Sequence, residues 1–225
     1  MLKVPPRIIL VILLVAGLTL TSLQPVNAAL FPDLEGHWAH EPVCRASVVD
    51  LIKGYPDGNF CPEQSLSEME ALVLFMRAAG YNLDKSKSSR VKSLPVTKVT
   101  TPQVSWGQNY LDQAAVDNLI DKSWLADFNG DHPITRARTA GLLCRLLKLP
   151  ESDTAGVTLF TDLNKAAPEY RTSIVAVARA GIINGFADGS FRPGEGLKRG
   201  EAAALLDNMI KDNWLQSVSA RQVEG

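Results

Sequence analysis

Gly181-Ile182-Ile183-Asn184-Gly185-Phe186-Ala187-Asp188-Gly189-Ser190-Phe191-Arg192-Pro193, then Leu197-Lys198-Arg199-Gly200-Glu201, is a glycine-aromatic turn running into a helix start. Phe160-Thr161-Asp162 precedes it, and Tyr170 to Gly181 reads as a first helix. The same order occurs earlier in the chain: Phe31-Pro32-Asp33, His37-Trp38, Gly54-Tyr55-Pro56-Asp57-Gly58-Asn59-Phe60-Cys61-Pro62, Leu66-Ser67-Glu68-Met69-Glu70. Gly54 to Leu66 and Gly185 to Leu197 are both 12 residues apart. Random turns do not keep such spacing together with Asp-Gly-x-Phe-x-Pro, so the chain is a repeat protein.

A middle copy is degenerate. Trp106 to Leu125 supplies its first helix, Asp127-Phe128 replaces the glycine-aromatic pair, and Ile134-Thr135-Arg136-Ala137-Arg138 begins its second helix. Its loop is shorter and lacks Phe-x-Pro. Aligned at the cap, the second helices place Ala71, Thr139 and Ala202 at one position, then Leu74, Leu142 and Leu205. Phe75, Leu143 and Leu206 follow, then Ala78, Leu146 and Met209. That i, i+3, i+4, i+7 stripe is the buried face of an amphipathic helix. The expected fold is all-α: three helix-loop-helix repeats sharing one core, with short extended segments in the loops. The repeats span 31–81, 104–149 and 159–211, with a linker at 82–103 and a tail at 212–225.

Residues 1–28 read as a signal peptide, with Lys3 and Arg7 before the apolar run Ile8 to Leu20 and Val26-Asn27-Ala28 as a small-residue cleavage site. The apolar run is short for a membrane span. Export to the cell envelope is the expectation, with no membrane span after cleavage. Without Lys3 and Arg7, 21 basic residues face 24 acidic ones, a formal charge of −3, which argues against nucleic acid as a partner. The linker carries Lys85, Lys87, Arg90, Lys92 and Lys98 among Ser, Thr and Pro; it reads as a solvated connector, or else as a cationic arm for an anionic polymer. Of three cysteines, Cys44 and Cys61 are a candidate disulfide pair for an oxidising compartment, and Cys144 reads as a free, partly buried thiol.

The recurrent Phe-x-Asp, the aromatic at the head of helix one, the Gly-Ile-Ile-x-Gly-aromatic-x-Asp-Gly-x-Phe-x-Pro turn and a helix start like Thr-Arg-Ala-Glu together resemble the S-layer homology family. The likeness covers nearly all of 31–211, faintly in the middle copy. It implies a single domain at 29–211 with a pseudo-threefold helical bundle. It also implies binding to anionic cell-wall polysaccharide, often pyruvylated, that anchors or organises the envelope. Arg136 and Arg199 match the motif arginine, and Trp38, Tyr110 and Tyr170 are candidates for its aromatic. At a helix start, unpaired N–H groups and a forked guanidinium suit a carboxylate. The expected pairings are Arg199 with Tyr170, and Arg136 with Tyr110 or Trp38.

Each residue also has a plainer reading. Both arginines are equally suited to cross-linking repeats through Asp33 or Asp162, and Trp38 to wedging between helices. Copy one places Glu68 where the arginine belongs, copy two has Arg138 in place of the reciprocal glutamate, and copy three has Lys198 at the cap. The alternative function is therefore an envelope protein-interaction module that has lost glycan binding. Asp127-Phe128-Asn129-Gly130-Asp131 lacks the closing glutamate of a calcium loop. His37 and His40 lack a third metal ligand. No nucleophile elbow or phosphate loop is present, so no catalytic residue, metal or cofactor is expected.

Overall fold

The computed structural model describes residues 31–84, 100–151 and 159–215. The signal-peptide reading, most of the cationic linker and the end of the tail lie outside the described residues. Those residues form seven α-helices and two 3-10 turns: α1 (His40–Val48), α2 (Glu68–Ala78), α3 (Gln108–Val116), α4 (Lys122–Ala126), α5 (Arg136–Leu146), α6 (Pro168–Arg179) and α7 (Arg199–Lys211). The 3-10 turns are Pro32–Leu34 and Leu163–Lys165. Extended structure is confined, among the described residues, to isolated bridges between loops.

The bridges join the three segments that the sequence reading assigns to successive copies. Leu66 N–H donates to Leu197 O (2.8 Å), Leu197 N–H to Ile134 O (2.9 Å), and Ile134 N–H to Leu66 O (3.0 Å). This is a closed ring with one residue from each copy. The next tier repeats it, with Glu68 N–H donating to His132 O, Arg136 N–H to Glu195 O and Arg199 N–H to Gln64 O. First-turn N–H groups that a lone helix leaves unpaired are thus satisfied by the loop of the following copy. The helices obey the same cyclic order. Each second helix packs on the first helix of the next copy: α2 on α3, α5 on α6, and α7 on α1. The α2/α3 contact is the loosest of the three.

The buried stripe is as expected with one exception. Leu142 and Leu205 are buried, but Leu74 is only half-buried, because it faces the open α2/α3 junction. Ser67 and Thr135 cap α2 and α5, and Ser67 completes a capping box with Glu70. Lys198 cannot accept as a cap; its backbone N–H donates to Glu201 (2.9 Å) and its ammonium pairs with Glu63. The sequence expects one helix from Trp106 to Leu125. The structure breaks it at Asn118, which takes a left-handed φ of 55°, and Asp121 then caps the separate α4.

The repeat motif has a steric logic. Asp33 accepts from Phe60 N–H and Cys61 N–H (2.9 and 2.6 Å), and Asp162 accepts from Phe191 N–H and Arg192 N–H (2.7 and 2.8 Å). The aspartate of Phe-x-Asp therefore ties down the Phe-x-Pro loop, and it is not the partner of Arg136 or Arg199. A Cβ on Gly54 would lie 2.2 Å from the Phe31 ring, and one on Gly185 would lie 2.4 Å from the Phe160 ring. The glycine is required by the phenylalanine that opens its own repeat. Cys44 and Cys61 are free thiols, so the expected bridge is not formed; Cys44 Sγ instead lies 3.8 Å from His40 Nε2 on its own helix. Cys144 is free and buried.

Candidate functional site

Arg136 and Arg199, the first residues of α5 and α7, are 5% and 8% exposed. Arg136 Nε donates to Phe191 O (2.8 Å), Nη2 to Asn184 O (3.1 Å) and Nη1 to Glu201 (3.3 Å). Its guanidinium lies over the Phe186 and Phe191 rings at 4.7 and 5.0 Å. Arg199 Nε donates to Phe60 O and Nη2 to Lys53 O, both at 3.0 Å, over Tyr55 and Phe60 at 4.5 and 4.8 Å. Each arginine therefore plugs the glycine-aromatic loop of the next repeat. Burial pushes the Arg136 pKa down, against the pull of Glu201. These guanidinium groups meet carbonyls and rings, where the sequence reading has them facing an open cleft.

Glu68, the equivalent residue of α2, is 1% exposed. It accepts from Asn129 N–H (3.2 Å) and from Arg138, which also reaches Asp127 through Nη2 at 2.6 and 2.7 Å. Arg136 pairs with the glutamate three positions into the helix of the next copy; Glu68 pairs with an arginine at that same position. The two departures in copies one and two are thus one charge reversal across one junction. Burial works against the Arg138 cation, but the bonds to Asp127 and the charge of Glu68 outweigh it and raise its pKa. Asn129 and Asp127 are engaged in this lock and in a local turn to Asp131.

A cleft of about 750 Å³ opens between α2 and α3, closed at one end by the 50–53 loop. Its lining includes Arg199, Lys53, Arg77, Tyr81, Trp106 and Tyr110. Of the sequence candidates, the cleft gathers Arg199 and Tyr110. Tyr110 is buried, with its hydroxyl accepting from Arg77 Nε (3.2 Å) and Leu83 N–H (3.3 Å). Tyr170 is buried at another junction, against Gly141, and burial beside Asp121 pushes its phenol pKa up. Trp38 is 56% exposed, so it is not a packed wedge. The pairing of Arg199 with Tyr170 is absent from the contacts either residue makes, as is that of Arg136 with Tyr110.

Trp106 and Arg77 are the cleft residues that sequence reasoning missed. Trp106 is 46% exposed and stands two residues before the first residue of α3, as Trp38 stands before α1. That shared offset was the available signal. Gly107, with φ of 72°, caps α3 directly over Met69, whose sulfur would lie 2.6 Å from an added Cβ. This close approach seats α3 on α2 beside Trp106.

The model of one family, the S-layer homology domain, matches residues 30–72 and 159–203. Over these two ranges the chain is similar to the S-layer homology domain. The degenerate middle copy lies outside both matched ranges. A cellulosome-anchoring protein of Acetivibrio thermocellus is 28% identical over 72% of the chain and 35% of its own length. An S-layer protein of Bacillus licheniformis is 26% identical over 85% of the chain and 21% of its own length, and S-layer protein EA1 of Bacillus anthracis is 27% identical over 89% and 22%. The chain thus spans about a third or less of these relatives. Among the described residues no helix is long and apolar enough to cross a membrane.

Proposed function

We propose that this chain is a non-enzymatic anchoring module of the cell envelope that holds wall polysaccharide in the α2/α3 cleft. The observation that carries the reading is the cleft itself. It is a concave site of the size that binds small ligands, lined by an exposed tryptophan and by charged hydrogen-bonding groups, in a chain whose relatives are named for S-layers and anchoring. The other two junctions are zipped across their helices. Arg45 of α1 grips Asp207 of α7 through Nε and Nη2 (2.5 and 3.0 Å), and Tyr170 of α6 packs into the gap that Gly141 leaves on α5.

Co-sedimentation of the purified chain with wall sacculi tests the reading. The native chain should pellet, and Trp106→Ala should stay in the supernatant while its circular dichroism is unchanged; pelleting of both to the same extent would remove the cleft from consideration. Sacculi stripped of pyruvyl groups examine the finer expectation of an acidic, pyruvylated polymer. The rival reading, a module that docks on another envelope protein, draws on the reversed junction at Glu68 and Arg138 and the truncated middle loop. It requires association that persists after the polysaccharide is digested.

A further inference from the structure

The glycine-aromatic loops of copies one and three share one frame, hydrogen bond for hydrogen bond. Tyr55 N–H donates to Asn59 O (2.7 Å) as Phe186 N–H does to Ser190 O (2.8 Å), and Gly58 N–H donates to Tyr55 O as Gly189 N–H does to Phe186 O. Cys61 and Arg192 both take a left-handed φ of 58°, and each donates its N–H to the aspartate of Phe-x-Asp. The neighbouring guanidinium also sits alike, Arg199 at 4.5 Å from the Tyr55 ring and Arg136 at 4.7 Å from the Phe186 ring.

What differs is the side chain at the left-handed position. Arg192 lies over Phe186 at 3.8 Å, donates to Asp188 and to Ser190 Oγ (both 3.2 Å), and pairs with Glu195 at 3.6 Å. Copy three thus completes its loop with a second cation, held by a ring and two carboxylates. Cys61 brings no charge to the same place. Copy one nevertheless keeps the ring, as Tyr55, and the first carboxylate, as Asp57, while Gln64 replaces Glu195. Asp57 is exposed, and among the described residues it is bonded by Asn59 and by no cation.

We propose that the copy-one loop receives an arginine side chain of a protein partner, whose guanidinium takes the place over Tyr55 and against Asp57 that Arg192 fills over Phe186 and against Asp188. A guanidinium is flat enough to stack on the ring and forked enough to hold the carboxylate at the same time, which an ammonium is not. Tyr55, Asp57 and Cys61 do not line the α2/α3 cleft, so docking here is separate from glycan binding there.

The test is an NMR titration of the purified chain, kept reduced, with acetyl-arginine amide and acetyl-lysine amide as probes. The arginine probe should give saturable amide shifts confined to residues 54–64, and the lysine probe should bind about threefold more weakly or worse. Asp57→Asn should weaken the arginine probe by about threefold. Cys61→Arg supplies the cation from within the chain, so it should abolish the shifts and raise the thermal midpoint above that of Cys61→Ala. Equal binding of the two probes would overturn the guanidinium assignment. Shifts that never saturate, shifts that persist in Cys61→Arg, or a Cys61→Arg midpoint no higher than that of Cys61→Ala would each overturn the site itself.

Discussion

Replacing Arg136 by alanine separates a structural clamp from a ligand clamp. The side chain makes one hydrogen bond to Phe191 O, one to Asn184 O and one to Glu201, and it covers two phenylalanine rings. Hydrogen bonds to a charged group are worth roughly 1.5–3 kcal/mol each, and a desolvated cation over a ring about 1–2 kcal/mol. Against these stands the cost of burying the guanidinium, which is several kcal/mol. The truncation also leaves two carbonyls and one carboxylate oxygen short of a donor, so a net loss of about 3–5 kcal/mol is expected. For a domain of ordinary stability, roughly 5–15 kcal/mol, that is a large part of the total. Urea denaturation followed by tryptophan fluorescence reads it directly. Arg136→Lys should rescue little, because an ammonium lacks the planar fork that spans two carbonyls. A loss below about 1 kcal/mol, accompanied by lost sacculus binding, would mean that the arginine serves the ligand and that the clamp argument fails.

Other expectations follow from the same contacts. Glu68→Arg and Arg138→Glu should each destabilise by about 3 kcal/mol or more, since each sets like charges together at a buried site, whereas the double swap should recover only part of the loss in a double-mutant cycle, because a glutamate at 138 meets Asp127 and an arginine at 68 meets the Asn129 N–H. Trp38→Ala should retain sacculus binding that Trp106→Ala loses, because the α7/α1 junction beside Trp38 is closed by Arg45 and Asp207; equal losses in co-sedimentation would contradict this. Gly185→Ala should lower the thermal midpoint well beyond the effect of Gly194→Ala, whose added Cβ meets nothing within 4 Å. Burial opposes ionisation of Asp207, but Arg45 and Lys211 outweigh it and hold the folded pKa below the ordinary value. The stability this carboxylate supplies is present above the unfolded value of about 4 and is lost as pH falls below it, and Asp207→Asn should flatten that acid slope.

The repeat, its period and its second helices were legible because they are local. A capping residue followed by an i, i+3, i+4 stripe needs no knowledge of the neighbours, and α2, α5 and α7 start where the caps place them. The turn motif was legible as punctuation but not as mechanism. That Gly185 makes room for Phe160, or that Asp162 holds two loop N–H groups, depends on chain segments more than 20 residues away. The break at Asn118 is not legible locally, because apolar residues flank it on both sides, Val116 before and Leu119 and Ile120 after. Buried arginines are rare, so a first-turn arginine reads as a solvent-facing anion clamp; only the neighbour's loop, with carbonyls and ring faces at the right distance, makes burial affordable. Trp106 was hidden because helix-one alignment rested on Tyr110, which the fold turns inward.

The Glu68–Arg138 reversal bears on how such a domain tolerates drift. The ring Leu66–Leu197–Ile134 is built wholly from backbone groups, so it survives side-chain replacement. What a repeat junction must add is a satisfied charge at the first helical position. Arg136 does this with two carbonyls of a full-length loop. The shortened middle loop presents no Phe-x-Pro segment and offers Glu68 an N–H at Asn129, while the first turn of α5 adds a cation at Arg138. An arginine at position 68 would face another arginine, and a carboxylate at 136 would face backbone oxygens. Loop length and charge sign are thus coupled, and each junction has to be read as a pair of copies. Ligand chemistry is freer of that constraint at Lys53, whose ammonium pairs with Asp50 of its own loop. Anchoring specificity in this chain can change at Trp106 or Lys53 while the lock beneath it stays fixed.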